Sequence, residues 1–148
     1  MEERFNLFTV FMTKIRRSIQ RIKTEEMAEY NLKSPHVSCL YYLYKHGSMT
    51  ATELCEICDE DKAAISRSIV QLENEGYVRY TDGQKKRYRA NIELTEKGRN
   101  IADGVAGKVD MILEVAGAGL SDEDRMIMYR SLSIISNNLE ALCKSYDK

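Results

Sequence analysis

Cys55 and Cys58 form a Cys-x-x-Cys pair, a spacing that serves either as half of a structural metal site or as a redox couple. Structural zinc needs four ligands, and the sequence has no second pair. The two histidines, His36 and His46, stand ten residues apart, which matches no familiar ligand pattern. Cys55 and Cys58 share a helix face with Leu54, and Cys39 sits among apolar helix residues. In such settings free cysteine behaves as a small hydrophobe, so core packing is the expectation for all three. No nucleophile–base–orienter set, paired catalytic carboxylates or glycine-rich phosphate loop is present, and no pattern activates either histidine. An enzyme is not expected, nor is a metal or a cofactor.

The chemistry lies a few residues further on. On a helical wheel beginning at Lys62, Ile65, Ile69 and Leu72 fall together, while Ala63, Arg67, Val70 and Asn74 fall opposite, with Ser66 and Gln71 at the margins. Small residues at Ala63 and Ala64 permit close approach to base edges. Arg67 suits a guanine edge or a phosphate, Ser66 is a short-range donor, and Lys62 at the helix start suits a phosphate. A tip reading DGQKKR follows, too basic for a core turn, and it places Lys85, Lys86 and Arg87 where a minor groove or flanking phosphates would lie. From Lys62 to Asn91 seven basic residues face three acidic ones, a local excess of four in a chain of net charge -1.

Several elements must position these residues. Residues 3–29 read as one long helix in which Phe5, Phe8, Met12, Ile15, Ile19 and Ile22 recur at alternating spacings of three and four, a heptad-like seam. Ser34-Pro35 reads as an N-cap with proline at the first helical position, opening a helix that ends at Gly47. After a short extended link at Ser48-Met49, Thr50 and Glu53 make a capping box for a brief helix. Asp59 or Asp61 caps the helix from Lys62, and Gly76 stops it. Tyr77–Tyr80 and Arg89–Leu94 are β-prone segments around Asp82-Gly83. Thr95 caps a helix carrying Ala102, Val105, Val109, Ile112 and Ala116. Beyond a turn at Gly117–Gly119, Ser121 and Asp124 cap a last helix carrying Met128, Leu132, Ile135, Leu139 and Leu142. The predicted fold is mainly α with a small β-hairpin (α+β): a winged helix-turn-helix flanked by long N- and C-terminal helices.

With 148 residues, 43% apolar and 30% charged, the chain is expected to be one soluble domain. No apolar run approaches the roughly 20 residues needed to span a bilayer, and the N-terminus lacks a signal-peptide pattern, so no membrane partner and a cytoplasmic location are expected.

From Ser34 to Arg99 the chain resembles the MarR family of winged helix-turn-helix transcriptional regulators. The likeness is carried by TATELCEICDEDKAAISRSIVQLENEGYVRY and IELTEKGR, with DKAAISRSI, LENEGYV and LTEKG the specific parts. The outer helices extend it over nearly the whole chain. The resemblance implies a core at residues 34–95, dimerisation helices at 1–30 and 96–148, and a homodimer. It implies DNA contacts at Lys62, Ala63, Ala64, Ser66, Arg67 and Gln71, and wing contacts at Lys85, Lys86 and Arg87. Ser34, His36 and Thr52 match positions near the DNA backbone. The family's wing commonly reads Asp-Arg-Arg where this chain has Lys86-Arg87-Tyr88. Phe8, Phe11, His36, Tyr41 and Tyr42, with Tyr44, are expected to line a pocket for a small amphipathic or phenolic effector of the kind the family binds.

The expected function is sequence-specific binding of double-stranded DNA, with repression through a pseudo-palindromic operator. Two alternatives stand beside it: a winged-helix protein-interaction module without DNA binding, and a cysteine-based redox sensor.

Overall fold

Side-chain caps decide where the helices of this protein begin. The computed structural model describes residues 2–58, 60–81 and 89–147. Helix α1 spans Glu2–Glu26, α2 Ser34–His46, α3 Ala51–Cys58, α4 Lys62–Asn74, α5 Glu96–Ala116 and α6 Asp122–Ser145. At α3 the Thr50 N–H donates to Glu53 Oε2 at 2.7 Å and the Glu53 N–H returns to Thr50 Oγ1 at 3.2 Å, the reciprocal box expected there. Asp61, not Asp59, is the described cap of α4: its Oδ1 accepts the Ala64 N–H at 2.6 Å. Ser121 and Asp124 repeat the box at α6.

Four boundaries differ from expectation. Helix α1 ends at Glu26 instead of Glu29, because Met27 leaves helical geometry and becomes fully buried beside Val37 and Val105. A 3-10 turn at Ala28–Tyr30 and a left-handed Asn31, φ 53°, complete the break. The N-cap of α2 is Lys33 rather than Ser34. Lys33 has extended backbone and its N–H donates to His36 Nδ1 at 3.2 Å, so Ser34 and Pro35 become the first helical residues. The link at Ser48–Met49 is a strand, β1, and the later strands are shorter than expected: β2 at Val78–Tyr80 and β3 at Ile92–Leu94. The sheet runs β1-β3-β2, antiparallel, pairing Met49 with Ile92 and Val78 with Leu94.

The chain divides into two units, Met1–Val109 and Asp110–Lys148. In the first, Leu40, Leu43, Leu54, Ile65, Ile69, Leu72, Val78, Ile92 and Leu94 form one core cluster that joins α2, α3, α4 and the sheet. Met27, Val37 and Val105 form a second, with Tyr30 and Tyr41 against it. The second unit holds the end of α5 and α6, and no described residue of α6 is buried. Apolar seam positions on the outer helices stay open: Ile15 of α1 and Leu139 and Leu142 of α6 are each 51% exposed. Among the described residues no helix is long and apolar enough to cross a membrane.

Candidate nucleic-acid interface

Helix α4 is amphipathic by sequence and is seated accordingly. Ile65, Ile69 and Leu72 point into the core at 3% exposure or less, which turns the opposite strip outward. Lys62, Ala63, Ser66, Arg67 and Gln71 are exposed, and Ala64 is half-buried. The Ser68 hydroxyl, buried beside the apolar face, donates back to the Ala64 carbonyl at 2.9 Å, so this hydroxyl has a partner inside the core. The outward strip is therefore small, polar and basic over its first two turns, the part of a recognition helix that meets base edges.

Both ends of α4 are clamped. Asp61 caps the first turn, so Asp61→Ala is expected to destabilise the protein by about 1 kcal/mol, within the usual 0.5–2 for lost caps, seen as a lower urea midpoint. At the other end the Glu75 N–H donates to the Gln71 carbonyl, and Gly76, φ +77°, turns the chain into β2. Thr95 Oγ1 donates to the Gly76 carbonyl at 2.6 Å and accepts the Gly98 N–H at 3.0 Å. One hydroxyl thus caps α5 and ties it to the end of α4. Lys97 adds a second tie, with Nζ on the Glu75 carbonyl at 2.7 Å and 4.9 Å from the Tyr77 ring centre.

The remaining residues expected at the DNA are placed unequally. Thr52 on α3 is exposed and Ser34 is half-buried at the start of α2. His36 is folded inward, 4% exposed, with Nδ1 committed to the Lys33 N–H. Burial, helped by the Lys33 charge, holds its pKa below the ordinary imidazole value. His36 is thus a neutral capping residue in this fold. Lys85, Lys86 and Arg87 lie outside the described residues. At the base of the hairpin, Arg79 and Arg89 are exposed, and Arg79 Nε donates to Glu93 Oε1 at 2.7 Å across the strand pair. Both arginines belong to the local basic excess, yet strand spacing alone assigned them no role.

The aromatic residues expected around a ligand have different core neighbours. Tyr41 packs with the second core cluster and Tyr42 with the first, their rings edge to face at 5.3 Å. Phe8 is half-buried and Phe11 exposed on α1. Tyr44 donates to Asp103 Oδ1 at 2.7 Å, which fastens α2 to α5. The cysteines expected in the core are there: Cys39 is fully buried, and Cys55 and Cys58 pack against the same cluster.

Comparison with known proteins follows the same architecture. Residues 30–87 match the model of the MarR family. The chain is 25% identical over 115 residues to YfiV of Bacillus subtilis (strain 168), an uncharacterised HTH-type transcriptional regulator, spanning 78% of this chain and 72% of that protein. Its fold is similar to that of NMB1585, a MarR family regulator from Neisseria meningitidis, with a TM-score of 0.83, 18% identity, and coverage of 98% of this chain and 99% of that one. It is also similar to S. aureus MepR as solved in a DNA complex, with a TM-score of 0.76, 19% identity, and coverage of 89% and 97%.

Proposed function

We propose that this chain, whose residues 30–87 match the model of the MarR family, is a regulator of that kind, binding double-stranded DNA sequence-specifically as a homodimer and repressing transcription by occluding its operator. The observation that carries this reading is the outward strip of α4, where Lys62, Ala63, Ser66, Arg67 and Gln71 are exposed above a fully seated apolar face. The neighbour solved with DNA supports the same use of the fold. A two-fold dimer places two such helices in successive major grooves, which calls for a pseudo-palindromic site with half-sites about one helical turn, roughly 34–36 Å, apart. Selection of bound sequences from random DNA tests it. The expected result is an inverted repeat, with affinity falling steeply as salt rises because phosphate contacts release counterions. A shallow salt dependence and no enriched sequence would instead mark a protein-interaction module.

Dimerisation uses the open seams. Exposed apolar side chains in this number on two long helices exceed the scatter normal for a monomer surface. Leu139→Glu is expected to weaken self-association by roughly 10-fold or more, since a charge replaces one buried apolar side chain worth about 1.5–3 kcal/mol. Sedimentation equilibrium reads that shift, with the exposed Ser133→Glu as the control. Release from DNA is assigned to a small amphipathic or phenolic effector near Tyr41 and Tyr42, which shifts the population of dimers toward an unproductive recognition-helix spacing. A cytoplasmic location accompanies this reading.

A further inference from the structure

Helix α1 ends against its own dipole. Its last turn carries Lys23 but closes on Glu25 and Glu26, and Glu29 follows in the 3-10 turn, so carboxylates stand where a helix terminus is already partially negative. The compensating charge comes from α5. Lys108 Nζ donates to the Glu26 backbone carbonyl at 2.7 Å, one of the carbonyls that a helix end leaves open. It also pairs with Glu29 Oε1 and lies 3.5 Å from Glu26 Oε2 and 5.6 Å from the Tyr30 ring centre. A single exposed ion pair holds little. This cation is only a quarter exposed, and it serves a helix end, two carboxylates and a ring at once.

Two neighbours of Lys108 on the same side of α5 complete the joint. Val105 packs with the fully buried Met27, the residue at which α1 stops, and with Val37 of α2. At Gly104, four positions before Lys108, an added Cβ would sit 2.5 Å from the Tyr30 hydroxyl oxygen and 3.3 Å from its Cζ, so the tyrosine lies on bare helix backbone. The break after α1 is thus pinned by an apolar plug, a ring and a cation within little more than one turn of α5. We propose that Lys108 is the positioning residue of this joint: it locks the end of α1 onto α5, which fixes how α1 leaves the winged core and hence the distance between the two α4 helices of a dimer.

The lock is a property of the folded chain; its consequence for spacing rests on the dimeric DNA-binding reading proposed above. Without the ammonium, Glu26 and Glu29 repel the α1 terminus and the turn at Ala28–Tyr30 loses its anchor, so α1 pivots at Met27. One base pair advances about 3.4 Å along the duplex, so a pivot of that size admits neighbouring half-site spacings.

Three variants test it. Lys108→Met keeps the aliphatic stem and removes the charge, Lys108→Arg keeps the charge, and Glu29→Gln weakens the joint with α5 untouched. Amide hydrogen exchange of the free protein reads the lock, over a segment where the Met27, Tyr30 and Asn31 N–H groups donate to backbone carbonyls. Lys108→Met is expected to speed exchange over residues 23–31 at least about 5-fold, with α4 unchanged and Lys108→Arg close to wild type. Glu29→Gln should show a smaller change of the same kind. Selection from random DNA then reads the spacing. Lys108→Met should enrich the wild-type half-site sequence at several spacings where the wild type enriches one. Its affinity for the wild-type site should fall about 5- to 10-fold, in proportion to the dimers left at the right spacing. Unchanged exchange in both Lys108→Met and Glu29→Gln would overturn the lock. Faster exchange with one unchanged spacing overturns the positioning role, and wild-type protein that enriches no sequence removes the DNA-binding reading while exchange still decides the lock.

Discussion

Arg67→Ala is expected to remove specific DNA binding while the fold and the dimer survive. Arg67 stands on the outward strip of α4, opposite Ile69 and Leu72, and its side chain is exposed. Its loss opens no core cavity, and substitutions at such surface sites usually stay within about 0.5 kcal/mol of wild-type stability. At the DNA the effect is larger. A guanidinium bidentate to a guanine edge is worth about 1–3 kcal/mol of discrimination, so affinity for the selected site should fall by roughly 5- to 150-fold and approach that for random DNA. Arg67→Lys is the informative companion, because it keeps the charge and loses the planar fork. If lysine restores non-specific affinity but not sequence preference, Arg67 reads a base; if it restores both, Arg67 holds a phosphate. A titration in which the alanine variant bound the selected site as tightly as wild type would show that α4 is not the recognition helix.

The second large effect is structural, and its cause lies at the end of the sheet. A Cβ built on Gly98 would sit 1.8 Å from the Tyr77 carbonyl oxygen and 2.7 Å from its carbon. Those atoms are backbone, and the same carbonyl accepts the Thr95 N–H at 3.0 Å, so nothing flexible can yield. Gly98→Ala must therefore push the first turn of α5 away from the start of β2 and strain the Thr95 hydroxyl bridge between α4 and α5. The expected cost is about 3 kcal/mol or more, the upper end of overpacking penalties, and a melting temperature several degrees lower. Gly107→Ala is the control on the same helix. Its added Cβ meets nothing within 4 Å, so trading glycine for alanine should raise stability by about 0.5–1 kcal/mol. Equal melting temperatures for Gly98→Ala and wild type would mean that α5 and β2 are not pressed together as described.

Much of the interface was legible because its determinants are local. The pairing of Thr50 with Glu53, the Asp61 cap and the inward face Ile65, Ile69, Leu72 are relations among residues three or four apart, and helical geometry alone brings such residues together. The open seams on α1 and α6 follow from the same periodicity. The cap of α2 was misplaced by one residue because serine before proline is the commoner signal. Here the buried His36 ring is within reach of the Lys33 N–H, and burial of that ring is a property of the packed core.

Sequence alone is enough for the helices, for their caps other than that of α2, for the outward strip from Lys62 to Gln71 and for the family resemblance from Ser34 to Arg99. Only the folded chain shows that Ser48 and Met49 pair with β3, that Thr95 clamps the end of α4, and that Gly98 has no room for a side chain. The difference has one physical origin. Contacts within a turn of helix are set by backbone geometry and recur wherever the pattern recurs, whereas contacts between residues 19 or 45 positions apart, such as Gly76 with Thr95 or Ser48 with Glu93, exist only once burial of the shared core has brought their elements together.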